Sequence, residues 1–270
     1  MDDRYDKLQQ IIKKLSRVLV AYSGGVDSTF LLKAAVDTLE AKNVLAVIAT
    51  GPSLPKNQLA HAIEIAGDIG AQIETVETDE MADDNYTANK ADRCFHCKSH
   101  LFSELAELAK QKGFETVVFG CNVDDFGDYR PGHKAAEQFG IKAPLADAGL
   151  TKDDIRELSR QMNLPTADMP ASPCLASRIS YGLAVTAERL NQVEQAEQFL
   201  RSLGMVEFRV RHHDKVARIE AHRVDFEKLI NEPARTQIIE KLKSLGFKYV
   251  TIDLQGFRSG ALNEALDLDH

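Results

Sequence analysis

Short apolar runs alternate with amphipathic stretches through the first half of the chain. The runs RVLVAY, NVLAVIAT and TVVFGC are rich in β-branched residues and bounded by polar ones, which is typical of buried strands. Between them apolar residues recur at helical spacing, as at Phe30, Leu31, Ala34 and Ala35. The pattern predicts strands at 17–22, 43–50, 71–77 and 116–121, and helices at 27–39, 56–69 and up to 112. This alternation predicts an α/β fold, a doubly wound parallel sheet with helices on both faces.

The pattern changes near residue 180, where a smaller unit is expected to begin. Three prolines between 165 and 173 punctuate an irregular stretch before it. A helix is predicted from Thr186, a favourable N-cap, to Leu203. Strands are predicted at 206–212, 216–220 and 249–254, with two short helices before the last one. We therefore expect two domains, 1–180 and 181–270, the second a small α+β domain with a ferredoxin-like order.

Composition limits the classes of function. The 270 residues are 44% hydrophobic and 27% charged, an ordinary globular mix that excludes wholesale disorder. No apolar run reaches the ~18–20 residues of a membrane span, and the acidic N-terminus lacks a signal-type apolar stretch, so a cytoplasmic protein is expected. The net charge of −8 disfavours general binding to nucleic acid but permits a local basic pocket.

The most specific motif is Ser23-Gly24-Gly25-Val26-Asp27-Ser28, at the junction of the first strand and the first helix. Adjacent glycines let the backbone approach a ligand closely, and a helix N-terminus presents N–H groups that suit phosphate. Ser23 and Ser28 add hydroxyl donors, and Asp27 at a phosphate site implies Mg²⁺. The motif resembles the SGGxDS loop of the N-type ATP pyrophosphatases, which cleave ATP between the α and β phosphates. A glycine-rich turn with an aspartate cap is the alternative.

Three of the four cysteines form a candidate metal centre. Cys94 and Cys97 make a C-x-x-C motif at a predicted helix start, where thiolates are favoured. Cys174 lies in the irregular stretch expected to cross the carboxyl ends of the strands, which is the ligand-binding edge of such sheets. If the three converge, they could hold a 4Fe–4S cluster with one open iron. A structural zinc site would need a fourth ligand, such as His96.

Simpler interpretations remain for the cysteines. The C-x-x-C motif could be a redox pair or a coincidence, and Cys174 could be a nucleophile acting alone. Cys121 lies within an apolar strand, where a cysteine usually serves as a small buried hydrophobic residue, so it is left out of the predicted site.

Polar residues of the second domain suggest an anion site. In the strand FRVRH, Arg209 and Arg211 share one face because side chains alternate along a strand. Two guanidinium groups on one face can bind a phosphate or a carboxylate, and a solvated strand face is the alternative, which also applies to Arg178. Glu197 lies on the apolar stripe of the predicted helix, so it either packs at the stripe's edge, pairs with a basic residue or contacts a substrate.

Taken together, the motifs resemble the LarE family of PP-loop ATP pyrophosphatases, which have an adenine nucleotide alpha hydrolase-like fold. The resemblance runs over nearly the whole chain. It rests on the nucleotide loop, the CLASR segment with the following Tyr181-Gly182, the Arg-x-Arg strand, DYRPG at 128–132 and DLQGFRSG at 253–260.

This resemblance implies sulfur transfer in the biosynthesis of the nickel-pincer nucleotide cofactor. ATP would adenylate a carboxylate of pyridinium biscarboxylic acid mononucleotide, and sulfur from a sulfide or another sulfur donor would replace AMP to give a thiocarboxylate. The family also implies homo-oligomers. By position, it assigns substrate binding to Ser177, Arg178, Glu197, Arg209, Arg211 and, with a different local spacing, Asp225.

The family uses one of two sulfur sources. One subtype sacrifices a single cysteine, and the other carries a labile sulfide on a 4Fe–4S cluster held by three cysteines. Cys94, Cys97 and Cys174 match the cluster subtype, since Pro173 stands where the sacrificial cysteine is expected. A sacrificial Cys174 is the alternative.

Other functions fit part of the pattern. A tRNA thiolation enzyme would share the SGGxDS loop and cysteine-held clusters, although the acidic charge and the lack of a Lys/Arg-rich run disfavour nucleic acid as a partner. An amide-forming synthetase that uses ammonia would not need three convergent cysteines. A nucleotide-binding sensor with structural zinc is the non-enzyme alternative.

Overall fold

The structure is a computed structural model that describes residues 3–127, 132–170, 172–258 and 260–265. Four residues of the DYRPG motif, 128–131, and Ser259 of DLQGFRSG lie outside this part of the chain. No helix within it has the length and apolar character that crossing a membrane requires.

The first compact unit, Met1–Glu80 with Cys94–Ser172, contains a parallel sheet. Its strands are β1 (Val18–Ala21), β2 (Val44–Thr50), β3 (Gln72–Glu77) and β4 (Thr116–Phe119). The helices up to residue 161 are α1 (Asp3–Lys13), α2 (Val26–Leu39), α3 (Lys56–Ile69), α4 (Asp84–Thr87, in the second unit), α5 (Arg93–Lys112), α6 (Gly132–Gln138), α7 (Pro144–Ala148) and α8 (Lys152–Gln161). The parallel α/β architecture expected from the sequence is confirmed.

Helices cover both faces of this sheet because side chains alternate along its strands. Val18 and Val20 of β1 pack in one core with residues of α1 and α2, whereas Leu19 packs in another with Phe102 and Leu105 of α5. The sequence analysis did not predict α1, although its buried residues recur at helical spacing.

The strand order β3-β2-β1-β4 defines the ligand-binding edge of the sheet. The order reverses beside β1, so the loops that follow β1 and β4 lie next to each other at the carboxyl ends of the strands. Gly120, directly after β4, lets the backbone after β4 lie close to the start of α2. A Cβ atom at this position would lie 2.7 Å from the backbone N of Ser28.

The second unit, Met81–Arg93 with Pro173–His270, holds a smaller mixed sheet. Its strands are β5 (Phe208–His213), β6 (Val216–Ala221) and β7 (Tyr249–Ile252), and its remaining helices are α9 (Ala187–Ser202), α10 (Phe226–Ile230) and α11 (Ala234–Ser244). β6 pairs antiparallel with β5 and parallel with β7. The described sheet has three strands, one fewer than a ferredoxin-like fold.

The division between the units differs from the expected boundary at residue 180, since the second unit begins at Pro173 and includes 81–93. Long-range hydrogen bonds explain this assignment. Asn89 Nδ2 donates to the carbonyl oxygens of Ser180 and Leu183, each at 2.8 Å, and Arg93 donates to Ala176 O at 2.9 Å.

The close approach at Gly120 generates a stability prediction. We expect Gly120→Ala to lower the free energy of unfolding by about 1–3 kcal/mol, because the new methyl group would overlap the backbone of Asp27 and Ser28. Urea denaturation measures the change.

Gly67→Ala is the matched control. A Cβ at Gly67, within α3, meets nothing within 4 Å, so this change should raise stability by about 0.4–1 kcal/mol. Equal effects of the two substitutions would show that the approach at Gly120 is not tight.

Candidate functional site

The predicted nucleotide loop has the backbone that its glycines allow. Gly24 has a φ of +72°, and a Cβ there would lie 2.5 Å from Ala62 Cβ, so conformation and space both require glycine. Gly25 is the N-cap of α2 and provides no side-chain cap, which leaves the first-turn N–H groups facing the carboxyl edge of the sheet. Such a helix start can bind an anion.

The two serines of the loop hold its shape. Their Oγ atoms lie 3.0 Å apart, and Ser28 Oγ donates to Gly25 O at 3.2 Å. Gln58 of α3 also donates to Ser23 O at 3.0 Å, a contact that the sequence analysis missed. The hydroxyl groups therefore lie together at the start of α2.

Asp27 lies between two residues that the sequence analysis did not select. Lys152 Nζ is 2.7 Å from Asp27 Oδ2, and Asn122 Nδ2 is 3.4 Å from Oδ1. A capping box at Thr151 places Lys152 on the first turn of α8, but that signal marks only the helix start. One carboxylate beside a phosphate loop fits Mg²⁺, which takes its other ligands from phosphate and water. Lys152 adds a positive charge for a phosphate.

In the second unit, Arg178 and Glu197 form a buried ion pair. Arg178 Nε donates to Glu197 Oε1 at 2.9 Å and Nη2 to Oε2 at 3.2 Å, and the side chains are 3% and 6% exposed. The N–H of Val210 in β5 donates to Oε1 as well, at 3.1 Å. Of the alternatives for Glu197, pairing with a basic residue is therefore what the structure shows, and a carboxylate bound in this way tolerates burial.

The same arginine holds the backbone around Cys174. Arg178 Nη1 donates to the carbonyl oxygens of Pro173, at 2.5 Å, and Cys174, at 3.0 Å. Ser177 Oγ donates to Cys174 O at 2.7 Å. Cys174, the N-cap of the 3₁₀ helix Leu175–Arg178, thus has a fixed backbone and a partly exposed side chain.

Arg211 is also buried in an ion pair, so the solvated-face alternative does not apply to it. Its Nε and Nη2 donate to Glu220 Oε2 at 2.9 and 2.7 Å, and Nη1 donates to Ser177 O at 2.8 Å. Glu220 is fully buried on β6. The sequence analysis missed it because a sequence does not show which residues of β5 lie beside a residue of β6.

Arg209 is less buried than Arg178 and Arg211. Its guanidinium lies 5.0 Å from the centre of the Phe257 ring and donates to Phe208 O at 2.6 Å. Burial, together with the nearby Arg178 and Arg211, lowers the pKa of Arg209 to about 10. A guanidinium in this position can donate charge-assisted hydrogen bonds to a phosphate or a carboxylate.

The remaining candidates are Asp225 and the two cysteines of the C-x-x-C motif. Asp225 is buried and pairs with Lys228 at 2.7 Å, three residues along the chain. Cys94, exposed, and Cys97, half-buried, lie on the first turns of α5, as expected from the motif. Their i, i+3 spacing places both thiols on one side of the helix.

Comparison with known proteins shows similarity over nearly the whole chain. It is 39% identical to the pyridinium-3,5-bisthiocarboxylic acid mononucleotide synthase of Lactiplantibacillus plantarum, over 94% of this chain and 92% of that protein. It is 42% identical to an uncharacterized protein of Synechocystis, covering 98% and 99% of the two chains. An uncharacterized protein of Methanocaldococcus jannaschii is 32% identical over 91% of this chain and 92% of its own. The NAD synthase family model matches residues 1–120, which include the nucleotide loop.

The buried ion pair leads to a second stability prediction. Glu197→Ala should lower the free energy of unfolding by about 3–5 kcal/mol, because it leaves the Arg178 guanidinium buried without its carboxylate. Chemical denaturation of the full chain measures this change in the free energy of unfolding.

Asp168→Ala is the matched control for Glu197→Ala. Asp168 pairs with Arg160 at 2.7 Å, but both side chains are more than half exposed, so its loss should change the free energy of unfolding far less than Glu197→Ala does. A cost for Glu197→Ala no larger than the control's would contradict the structural role given to this pair.

Proposed function

The chain belongs to the LarE family, and from this membership and the geometry of its two sites we propose that it is an ATP-dependent sulfurtransferase. Its substrate is a carboxylate of pyridinium biscarboxylic acid mononucleotide, and its product is the thiocarboxylate. The observation that carries the proposal is the arginine group of the second unit, which consists of Arg178, Arg209 and Arg211. Arg178 binds the carbonyl oxygen of Cys174, and Arg211 binds that of Ser177.

The nucleotide loop performs the activation step. A carboxylate is a poor electrophile because its leaving group would be oxide, whereas an acyl adenylate has AMP as its leaving group. The carboxylate oxygen attacks the α-phosphorus of ATP, and the bond to pyrophosphate breaks. The start of α2 and Lys152 stabilise the charge on the departing pyrophosphate, while Asp27 holds Mg²⁺.

The arginine group holds the mononucleotide. Arg209 binds its phosphate, because its guanidinium is the most accessible of the three. Arg178 and Arg211 mainly position other groups, because each is already paired with a carboxylate, that of Glu197 or Glu220. They keep the segment 174–178 in place relative to β5.

The three cysteines hold the source of the sulfur atom. Cys94, Cys97 and Cys174 are all at least partly accessible and form no disulfide, and soft thiolates are the ligands that a 4Fe–4S cluster requires. When bound, that cluster supplies sulfide at an iron that no cysteine occupies. The arginine group orients the acyl carbon towards the sulfur source at Cys174, whose carbonyl oxygen Arg178 binds.

The test is anaerobic reconstitution with iron and sulfide, followed by incubation with the mononucleotide, ATP and Mg²⁺. We expect AMP and pyrophosphate as products, together with a thiocarboxylate that mass spectrometry detects. ADP without AMP would overturn the assignment. Loss of the elements of H₂S from Cys174 in the intact protein would instead favour the sacrificial-cysteine route.

Cys174→Ala separates activation from sulfur transfer. We expect this variant to form AMP from ATP in the presence of the mononucleotide but to transfer no sulfur, because the nucleotide loop belongs to the first unit and Cys174 to the second. Isotope-labelled pyrophosphate exchange measures activation and mass spectrometry measures transfer. Loss of exchange in a folded variant would contradict the order of steps.

Arg209→Ala tests the phosphate site. The lost charge-assisted contact should raise the KM for the mononucleotide about 5- to 100-fold, equivalent to ~1–3 kcal/mol, and leave the KM for ATP nearly unchanged.

Arg201→Ala is the control for Arg209→Ala, because Arg201 also lies over an aromatic ring of the second unit but is exposed on α9. If both variants have wild-type KM values, Arg209 does not bind the substrate.

A further inference from the structure

Three metal-binding side chains meet beside the nucleotide loop, all within the first unit. The ligand atoms of Cys121, Asp125 and His133 lie within 4.8 Å of one another, and Cys121 Sγ is 3.6 Å from His133 Nε2. Cys121 is 1% exposed and Asp125 7% exposed. The sequence analysis treated this cysteine as a buried hydrophobic residue; the burial is as expected, but its surroundings are polar.

The fold positions each of the three. Cys121 follows β4, and its backbone donates to Phe119 O at 3.0 Å and accepts from Ala146 N at 3.1 Å. Asp125 lies in the 3₁₀ helix Val123–Gly127 and accepts the N–H of Asn122 at 3.0 Å. These bonds fix the backbone of Cys121 and one oxygen of the aspartate, and the thiol lies 3.6 Å from both Asn122 O and His133 Nε2.

The imidazole of His133 is oriented by aromatic rings. His133 is on the first turn of α6, and its ring centre lies 5.3 Å from that of Phe126 and 6.2 Å from that of Phe119, both edge-on. Edge-on aromatic packing restricts rotation of the ring. A ligand whose orientation is fixed before the metal binds loses less conformational entropy on binding.

The donor set selects the class of metal. A thiolate, an imidazole and a carboxylate together suit Zn²⁺ and similar divalent transition metals, whereas Mg²⁺ and Ca²⁺ prefer oxygen ligands and iron–sulfur clusters prefer thiolates. Tetrahedral Zn²⁺ with ordinary bond lengths separates a sulfur and a nitrogen ligand by about 3.5 Å. The 3.6 Å between Cys121 and His133 matches this separation.

We propose that Cys121, Asp125 and His133 bind one Zn²⁺-like transition-metal ion, with a fourth position for water. This site is distinct from Cys94, Cys97 and Cys174 and takes no part in the proposed sulfur transfer. It is joined to the nucleotide loop through Asn122, whose N–H binds Asp125 and whose side-chain amide is 3.4 Å from Asp27. The ion therefore stabilises the segment after β4 that supports Asp27.

The test uses the full chain with Cys94, Cys97 and Cys174 replaced by serine, so that Cys121 is its sole cysteine. Titration with Zn²⁺ and with Co²⁺ should give one ion per chain and a rise in melting temperature. The cobalt form should show a thiolate charge-transfer band and the intense visible absorption of tetrahedral coordination. Because this parent lacks the proposed sulfur-transfer cysteines, the result does not depend on that function.

Ligand substitutions in this parent identify the site. Cys121→Ser and His133→Gln should each weaken Zn²⁺ binding at least about 100-fold, and Cys121→Ser should abolish the charge-transfer band. His61→Gln, an exposed histidine on α3, should bind as the parent does. Circular dichroism establishes that each variant is folded. Absence of binding in the folded parent, or binding that survives both ligand substitutions, would overturn the proposal.

Discussion

The buried carboxylate of Glu197 is the constraint on which the second unit depends. It accepts hydrogen bonds from two nitrogens of Arg178 and from the backbone of Val210, and so joins α9, the segment after Cys174 and β5. An unpaired charge is costly to bury, so the buried ion pair favours the arrangement in which all three elements are in place. Arg211 and Glu220 repeat the arrangement one strand further.

This arrangement separates two roles that arginine can have. Arg178 and Arg211 are matched by carboxylates, so their charges are neutralised within the protein. Burial lowers the pKa of Arg209 to about 10, and the nearby Arg178 and Arg211 contribute to the shift. In the proposed function, these fixed neighbours keep the Arg209 guanidinium in position for the phosphate of the mononucleotide.

The candidate functional residues of the first unit lie at the edge of the sheet where the strand order reverses. The loop after β1 offers N–H groups and hydroxyls, and the segment after β4 offers Asn122, Cys121 and Asp125. Gly120 lets the segment after β4 approach the start of α2, and Gly24 lets the loop after β1 approach Ala62 of α3, within distances that a side chain would forbid. Close packing of backbone at this edge therefore holds the predicted nucleotide loop beside the segment that carries Cys121 and Asp125.

Local signals in the sequence determined the elements and the nucleotide loop. Periodicity located the strands of the parallel sheet, Thr186 marked the start of α9, and Gly24-Gly25 at a strand–helix junction marked the phosphate loop. These features depend on residues a few positions apart, which a single sequence displays. Tertiary structure alone decided the partners: Lys152 with Asp27, Glu220 with Arg211, and His133 with Cys121. Such pairs are formed by strand order and loop packing, and no local pattern encodes which distant charges will meet.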